Sequence, residues 1–141
     1  MKFNIKPNVS KAQRYLKETG HTLMPHQIDG VKWLLDHEQR QRHKGGILAD
    51  DMGLGKTIQI LSVIIAHPKK KTLIFVPASL INQWESEIKK FIPNIPLYIH
   101  WRDTQVGDTE LDEMKSQPIN IILTSYGYVT SPLAQTNIYD R

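Results

Sequence analysis

Residues 49 to 57 read "ADDMGLGKT", and they follow the short apolar run "GGIL" at 45 to 48. The helical pattern "TIQILSVIIAH" begins at Thr57. A helix that starts just after a strand aims several free backbone N–H groups at one point, and the positive end of its dipole adds to them. Glycines there let the backbone curl round an anion with no Cβ in the way. Gly53 and Gly55 meet that need, Lys56 supplies a point charge for outer phosphates, and the Thr57 hydroxyl suits a magnesium ion. The strict phosphate-loop pattern G-x-x-x-x-G-K-[ST] has Gly where this chain has Asp50. A chance lysine in a glycine-rich turn is the plain alternative. The strand–loop–helix context argues against it.

Working outward, the pattern predicts an alternation. "SKAQRYLKETG" reads as a short helix capped by Ser10 and stopped by Gly20. "MPHQIDGVKWLLDHEQRQRHK" at 24 to 44 reads as a second helix, with Pro25 in its first turn and Ile28, Val31, Leu34 and Leu35 on one face. "GILA" is then a brief strand, and the helix after the loop is apolar nearly all round, as for a buried element. "TLIFVP" has the continuous apolar character of a buried parallel strand. "SLINQWESEIKKFI" is an amphipathic helix with Leu80, Ile81, Trp84, Ile88 and Phe91 inward. "LYIHW" is a strand, "TELDEMKSQ" a short polar helix and "INIILTSY" a further strand. Strand–helix repetition of this kind predicts an α/β fold, a parallel sheet with helices on both faces.

The 141 residues are enough for one ordinary core, and 40% hydrophobic with 23% charged residues is globular rather than disordered usage. With no cysteine, disulfides, thiol nucleophiles and cysteine metal sites are excluded. The six histidines fall in no ligand-spaced pair, so they read as surface or packing residues. No run has the roughly 18 apolar residues of a membrane span, and the first residues lack a signal-peptide core. A soluble, intracellular protein with no membrane partner is expected. The net charge of +4 is compatible with nucleic acid but too small to imply it alone.

"ILADDMGLGKTIQ" resembles motif I of the Swi/Snf-type ATPases, the chromatin-remodelling branch of helicase superfamily two. That family tolerates an acidic residue at the position of Asp50. "LMPHQIDGVKWLL", "TLIFVPASLINQWESEIKKF" and "INIILTSYGYV" resemble its opening segment, motif Ia and motif Ib, in the family's order. The resemblance covers roughly residues 23 to 130. It implies a phosphate-loop, RecA-like lobe that is incomplete, with residues 1–22 an N-terminal arm and short helix and 23–141 the lobe itself. It implies ATP and Mg2+ as cofactors and duplex DNA as partner. Asp51, Met52, Gly53, Leu54, Gly55, Lys56, Thr57 and Ile58 would line the nucleotide, and Gln27 would read adenine. Lys56 and Thr57 would carry catalysis, with Thr57 on the metal. Ser79, Thr124, Ser125 and Tyr126 would meet DNA phosphates, although capping and packing explain the same residue types. Trp33 and Trp84 read as packing residues.

The family's motif II is an Asp-Glu pair ending an apolar strand after motif Ib. The only Asp-Glu pair downstream of the loop, Asp112-Glu113, follows "DTEL", which is no buried strand, and precedes motif Ib. Asp140 has no strand before it either. The chain is therefore expected to be the first part of lobe one, ending before motif II, poorly competent in catalysis and open to self-association through an unpaired sheet edge. A non-catalytic nucleotide- or DNA-binding module, or a partner-docking fragment, stands as the alternative. Nothing resembles the guanine-specificity motif or substrate lid of a GTPase or small kinase. If the parent is eukaryotic, a nuclear location is expected; otherwise a cytoplasmic or viral one.

Overall fold

The computed structural model describes residues 7–40, 42–69 and 71–131, which fall into two compact units, Met1–Pro68 and Lys69–Arg141. The sequence reading of 132–141, including Asp140, lies outside the described residues.

The first unit is helical. Helix α1 spans Val9–Glu18, α2 Pro25–Gln39 and α3 Lys56–Ala66. Helix α1 is capped two residues before the expected Ser10: the Asn8 side chain accepts the Lys11 N–H at 3.3 Å. An asparagine in extended backbone at that point satisfies an orphan donor as well as serine does. Gly20, with φ +83°, ends the helix as expected, its N–H on the Lys17 carbonyl. Helix α2 begins at Pro25 but stops at Gln39, short of the expected polar tail to Lys44. The Gln39 side chain and the Gly45 N–H take its last carbonyls, on Leu35 and His37. The tail offers no apolar face that would hold a further turn. On α2, Val31 and Leu35 are buried, with Ile28 and Leu34 half-buried. Helix α3 is buried from Ile58 to Ala66 apart from Ile60, as its all-round apolar sequence requires.

The expected strand at 46–49 is not formed. The segment has no ladder partner among the described residues, and Ile47 is 85% exposed. An extended segment becomes a strand only through paired N–H and C=O groups. Trp33, expected to pack on its helix, lies with its ring 3.7 Å from that of His37, and a Cβ on Gly46 would overlap the indole.

The second unit holds a three-stranded parallel sheet in the order β1-β3-β2, with β1 at Lys71–Val76, β2 at Leu97–His100 and β3 at Asn120–Ser125. Helix α4, Ile81–Phe91, joins β1 to β2 and is preceded by a 3-10 turn at Ala78–Leu80. Helix α5, Asp108–Ser116, joins β2 to β3. The chain skips one strand position outward and then returns to fill it. Right-handed crossovers made in opposite directions put α4 and α5 on opposite faces. Register agrees: Leu73, Ile122 and Tyr98 are paired across the sheet and meet Met114, Val106 and Leu111 on the α5 side. Strand β3, covered on both faces, is buried along its whole length. Ile81 and Ile88 are 1% exposed on α4, whereas Leu80, expected inward, is 37% exposed because the 3-10 turn rotates it off the helical stripe. Among the described residues no helix is long and apolar enough to cross a membrane.

Candidate functional site

The loop from Asp50 to Gly55 closes onto the N-terminus of α3, where Gly55 is the cap. Gly53 and Gly55 both take left-handed φ, +84° and +80°, so both are needed for the turn. The first paired amide of the helix is that of Gln59, on the Gly55 carbonyl at 3.3 Å. Helix geometry therefore leaves the amides of Lys56, Thr57 and Ile58 without an intrahelical acceptor, and a glycine cap has no side chain to offer them. Free N–H groups gathered at a helix end of this kind suit an anion.

Lys56 folds back over the loop. Its Nζ donates to the Asp50 carbonyl and, at 3.1 Å, to the Asp51 carbonyl. The expected nucleotide residues Asp51, Met52, Gly53 and Leu54 are exposed, while Gly55, Lys56 and Thr57 are half-buried and Ile58 is buried. The donor set fits a magnesium-bound triphosphate: one ammonium, free backbone amides and a hydroxyl gathered at one helix end.

Gln27 sits against this loop. It occupies the third position of α2 and accepts the Met24 N–H at 2.9 Å, half of a capping box. Its Nε2 donates to the Leu54 carbonyl at 3.1 Å, and His26 Nε2 lies 3.2 Å from the same oxygen. A Cβ on Gly55 would overlap Gln27 Nε2. Residues 27 and 55, distant in sequence, therefore belong to one site.

Sequence reasoning missed three members. Gln59 Nε2 donates to Asp50 Oδ2 at 2.8 Å, His26 joins Gln27 on Leu54, and Gly30 in mid-α2 leaves room for the Gln59 amide. The available signals were a glutamine inside an otherwise apolar helical run and a glycine inside a helical pattern.

In the second unit, Ser79 lies exposed after β1 and Tyr126, 59% exposed, follows β3. Thr124 and Ser125 are buried, and the Thr124 hydroxyl donates to the His100 carbonyl at 2.6 Å. His100 is itself buried, which pushes its pKa below the ordinary value, and its Nδ1 accepts the Val106 N–H at 3.0 Å. Asp112 and Glu113 are exposed on α5, with Asp112 paired to Lys115 at 2.6 Å. Among the described residues no cluster of three or more His, Asp or Glu side chains is placed to hold a metal.

The sequence model of the SNF2-related domain matches residues 26–140. An uncharacterized ATP-dependent helicase of Schizosaccharomyces pombe is 38% identical over 130 residues, covering 85% of this chain and 12% of that protein. The chromatin-remodeling ATPase INO80 of Lodderomyces elongisporus is 35% identical over 126 residues, covering 80% of this chain and 8% of that protein. The SWI2/SNF2 ATPase core of Sulfolobus solfataricus, solved in complex with dsDNA, superposes with a TM-score of 0.59 at 29% identity, over 81% of this chain and 23% of that one. The chain thus spans about a tenth of the length of the two curated relatives and 23% of the solved one.

Proposed function

Because the chain belongs to the SNF2-related domain family, we propose that it is the ATP-binding part of a DNA-dependent ATPase that moves along duplex DNA. The observation that carries this is Lys56: it follows two left-handed glycines, and its ammonium rests on the loop carbonyls of Asp50 and Asp51 at the helix end where the free amides of α3 lie. A triphosphate offers that ammonium a full negative charge in place of two neutral carbonyls.

The backbone of residues 51–58 holds the phosphates, with Gly53, Leu54 and Gly55 as the loop donors. Thr57 supplies the hydroxyl for magnesium, which when bound neutralises phosphate charge. Gln27 reads adenine with the amide hydrogen and lone pair left over from its bonds to Leu54 and Met24.

The solved relative carries duplex DNA, and the loops after β1 and β3 lie at the C-terminal ends of parallel strands, where such sheets bind ligands. Ser79 and Tyr126 are the exposed phosphate contacts. Ser125 offers its backbone, and Thr124 braces the sheet through His100. An ATPase of this type works where DNA is held, in the nucleus of a eukaryote. Asp112, exposed and paired to Lys115, and its exposed neighbour Glu113 do not suit the metal, so the chain by itself is expected to hold MgATP and turn it over negligibly.

The test is titration calorimetry with MgATP on the chain and on Lys56→Ala, with hydrolysis and duplex-DNA binding followed on the same samples. Binding that weakens at least about tenfold in the variant is expected, from loss of the charge-assisted contacts. Tyr126→Ala is expected to lower duplex affinity and leave MgATP affinity intact. Equal MgATP binding by chain and Lys56→Ala would remove the nucleotide reading. Turnover stimulated by DNA would show that a carboxylate inside the chain serves the metal.

A further inference from the structure

We propose that Asp50 and Gln59 form a side-chain strut that sets the curvature of the phosphate loop, and that Gln59 is a positioning residue for the nucleotide. This rests on the nucleotide reading above.

Two features of the first unit are unfavourable taken singly. Gln59 is 0% exposed in a helix whose other buried positions are almost all apolar, and a buried amide carries a desolvation penalty. Gly30 sits inside α2, where glycine weakens a helix. Each explains the other. A Cβ at residue 30 would overlap Gln59 Oε1 and come within 3.1 Å of its Cδ. Gly30 is the seat on which the Gln59 amide lies.

What the amide does there is read from its partner. A carboxylate only accepts, so Gln59 must turn its NH2 toward Asp50, and the 2.8 Å bond is charge-assisted. Gln59 Oε1 has no donor among the described residues, so Asp50 alone fixes the direction of the amide. Asp50 is also the residue whose carbonyl receives Lys56 Nζ. Its side chain is thus tied to α3 at Gln59 while its backbone is tied to α3 at Lys56. A glycine at position 50 has no side chain with which to make the first tie. The departure from the strict phosphate-loop pattern and the buried glutamine nine positions on are one device.

The polarity of the strut can be reversed, which supplies the test. Gln59→Glu sets two carboxylates against each other, and Asp50→Asn in that background lets the new amide at position 50 donate to the new carboxylate at position 59. Asp50→Asn alone keeps an acceptor and is the mild control. MgATP affinity is measured by titration calorimetry, and hydrogen exchange of the Asp51–Leu54 amides is measured without nucleotide. Gln59→Glu is expected to weaken MgATP by about tenfold and speed loop exchange, and the double variant to recover to within about threefold on both. Affinity in Gln59→Glu equal to that of the unchanged chain, or a double variant no better than Gln59→Glu, overturns the strut. If Gln59→Glu does not fold, a folded, MgATP-binding double variant supports it and an unfolded double variant overturns it. If the unchanged chain does not bind MgATP, the nucleotide reading fails by itself. Loop exchange then decides the strut: rescue in the double variant supports it, and equal rates in all variants overturn it.

Discussion

At the scale of single residues, the loop is held by contacts that only certain side chains permit. Gly53 and Gly55 have nearly the same left-handed φ, but their surroundings differ: nothing lies within 4 Å of a Cβ at 53, whereas one at 55 would meet Gln27. Alanine at either costs roughly 1–2 kcal/mol for the left-handed backbone. Gly55→Ala is expected to cost more, because it also displaces a Gln27 amide hydrogen-bonded at both ends. Urea unfolding of the two variants checks this, and equal losses would show that Gln27 gives way freely. Gly55 was legible in the sequence from the phosphate-loop pattern. The pairing of Gln27 with Leu54 was not, because the two stand 27 residues apart and their contact depends on how α2 packs.

Helix ends, by contrast, are decided locally and are easily displaced by a residue or two. The sequence reading named Ser10 as the cap of α1, but the structure uses Asn8, whose backbone N–H also reaches the Ala66 carbonyl at the end of α3 at 2.9 Å. That link joins two elements of the first unit, so the cap position is set by packing as much as by propensity. Asn8→Ala is expected to destabilise by about 1 kcal/mol, with Asn8→Ser recovering most of it. Chemical denaturation measures the loss, and an unchanged midpoint in Asn8→Ala would mean the backbone link alone positions the helix. The polar stretch after Gln39 shows the opposite case: helix formers without an apolar face do not continue a helix.

Across the molecule, the second unit carries a group whose protonation is linked to folding. His100, at the end of β2, is buried, and burial pushes its pKa down. The Val106 N–H on its Nδ1 favours the same neutral form. Above the ordinary histidine value of about 6.5 both folded and unfolded chains hold the ring neutral, and no stability depends on it. As pH falls below that value, the unfolded chain takes up a proton that the folded chain still refuses. Stability is therefore lost progressively until the lowered folded value is passed. Unfolding midpoints measured from pH about 7.5 down to about 5 should fall, and His100→Asn, which keeps an acceptor but cannot titrate, should flatten the slope. An equal slope in both proteins would assign the acid sensitivity elsewhere.

What the sequence determined by itself is the order of elements and the chemistry of the loop. Apolar pattern placed α3, α4, β1, β2 and β3, since burial of one face leaves a periodic stripe, as in α4, and burial all round leaves a short continuous apolar run, as in β1 and α3. Gly-x-Gly-Lys-Thr marked the tight turn at the start of α3, the candidate anion site, because backbone geometry restricts which residues fit there. Only the tertiary structure decided the rest. It placed β3 between β1 and β2, left 46–49 without a strand partner and buried Thr124 in the central strand. It also brought Gly30, Gln59 and Asp50 together. The physical reason is common to all of these: strand pairing and side-chain contact between distant residues depend on what the fold sets beside them, and no local repeat records that.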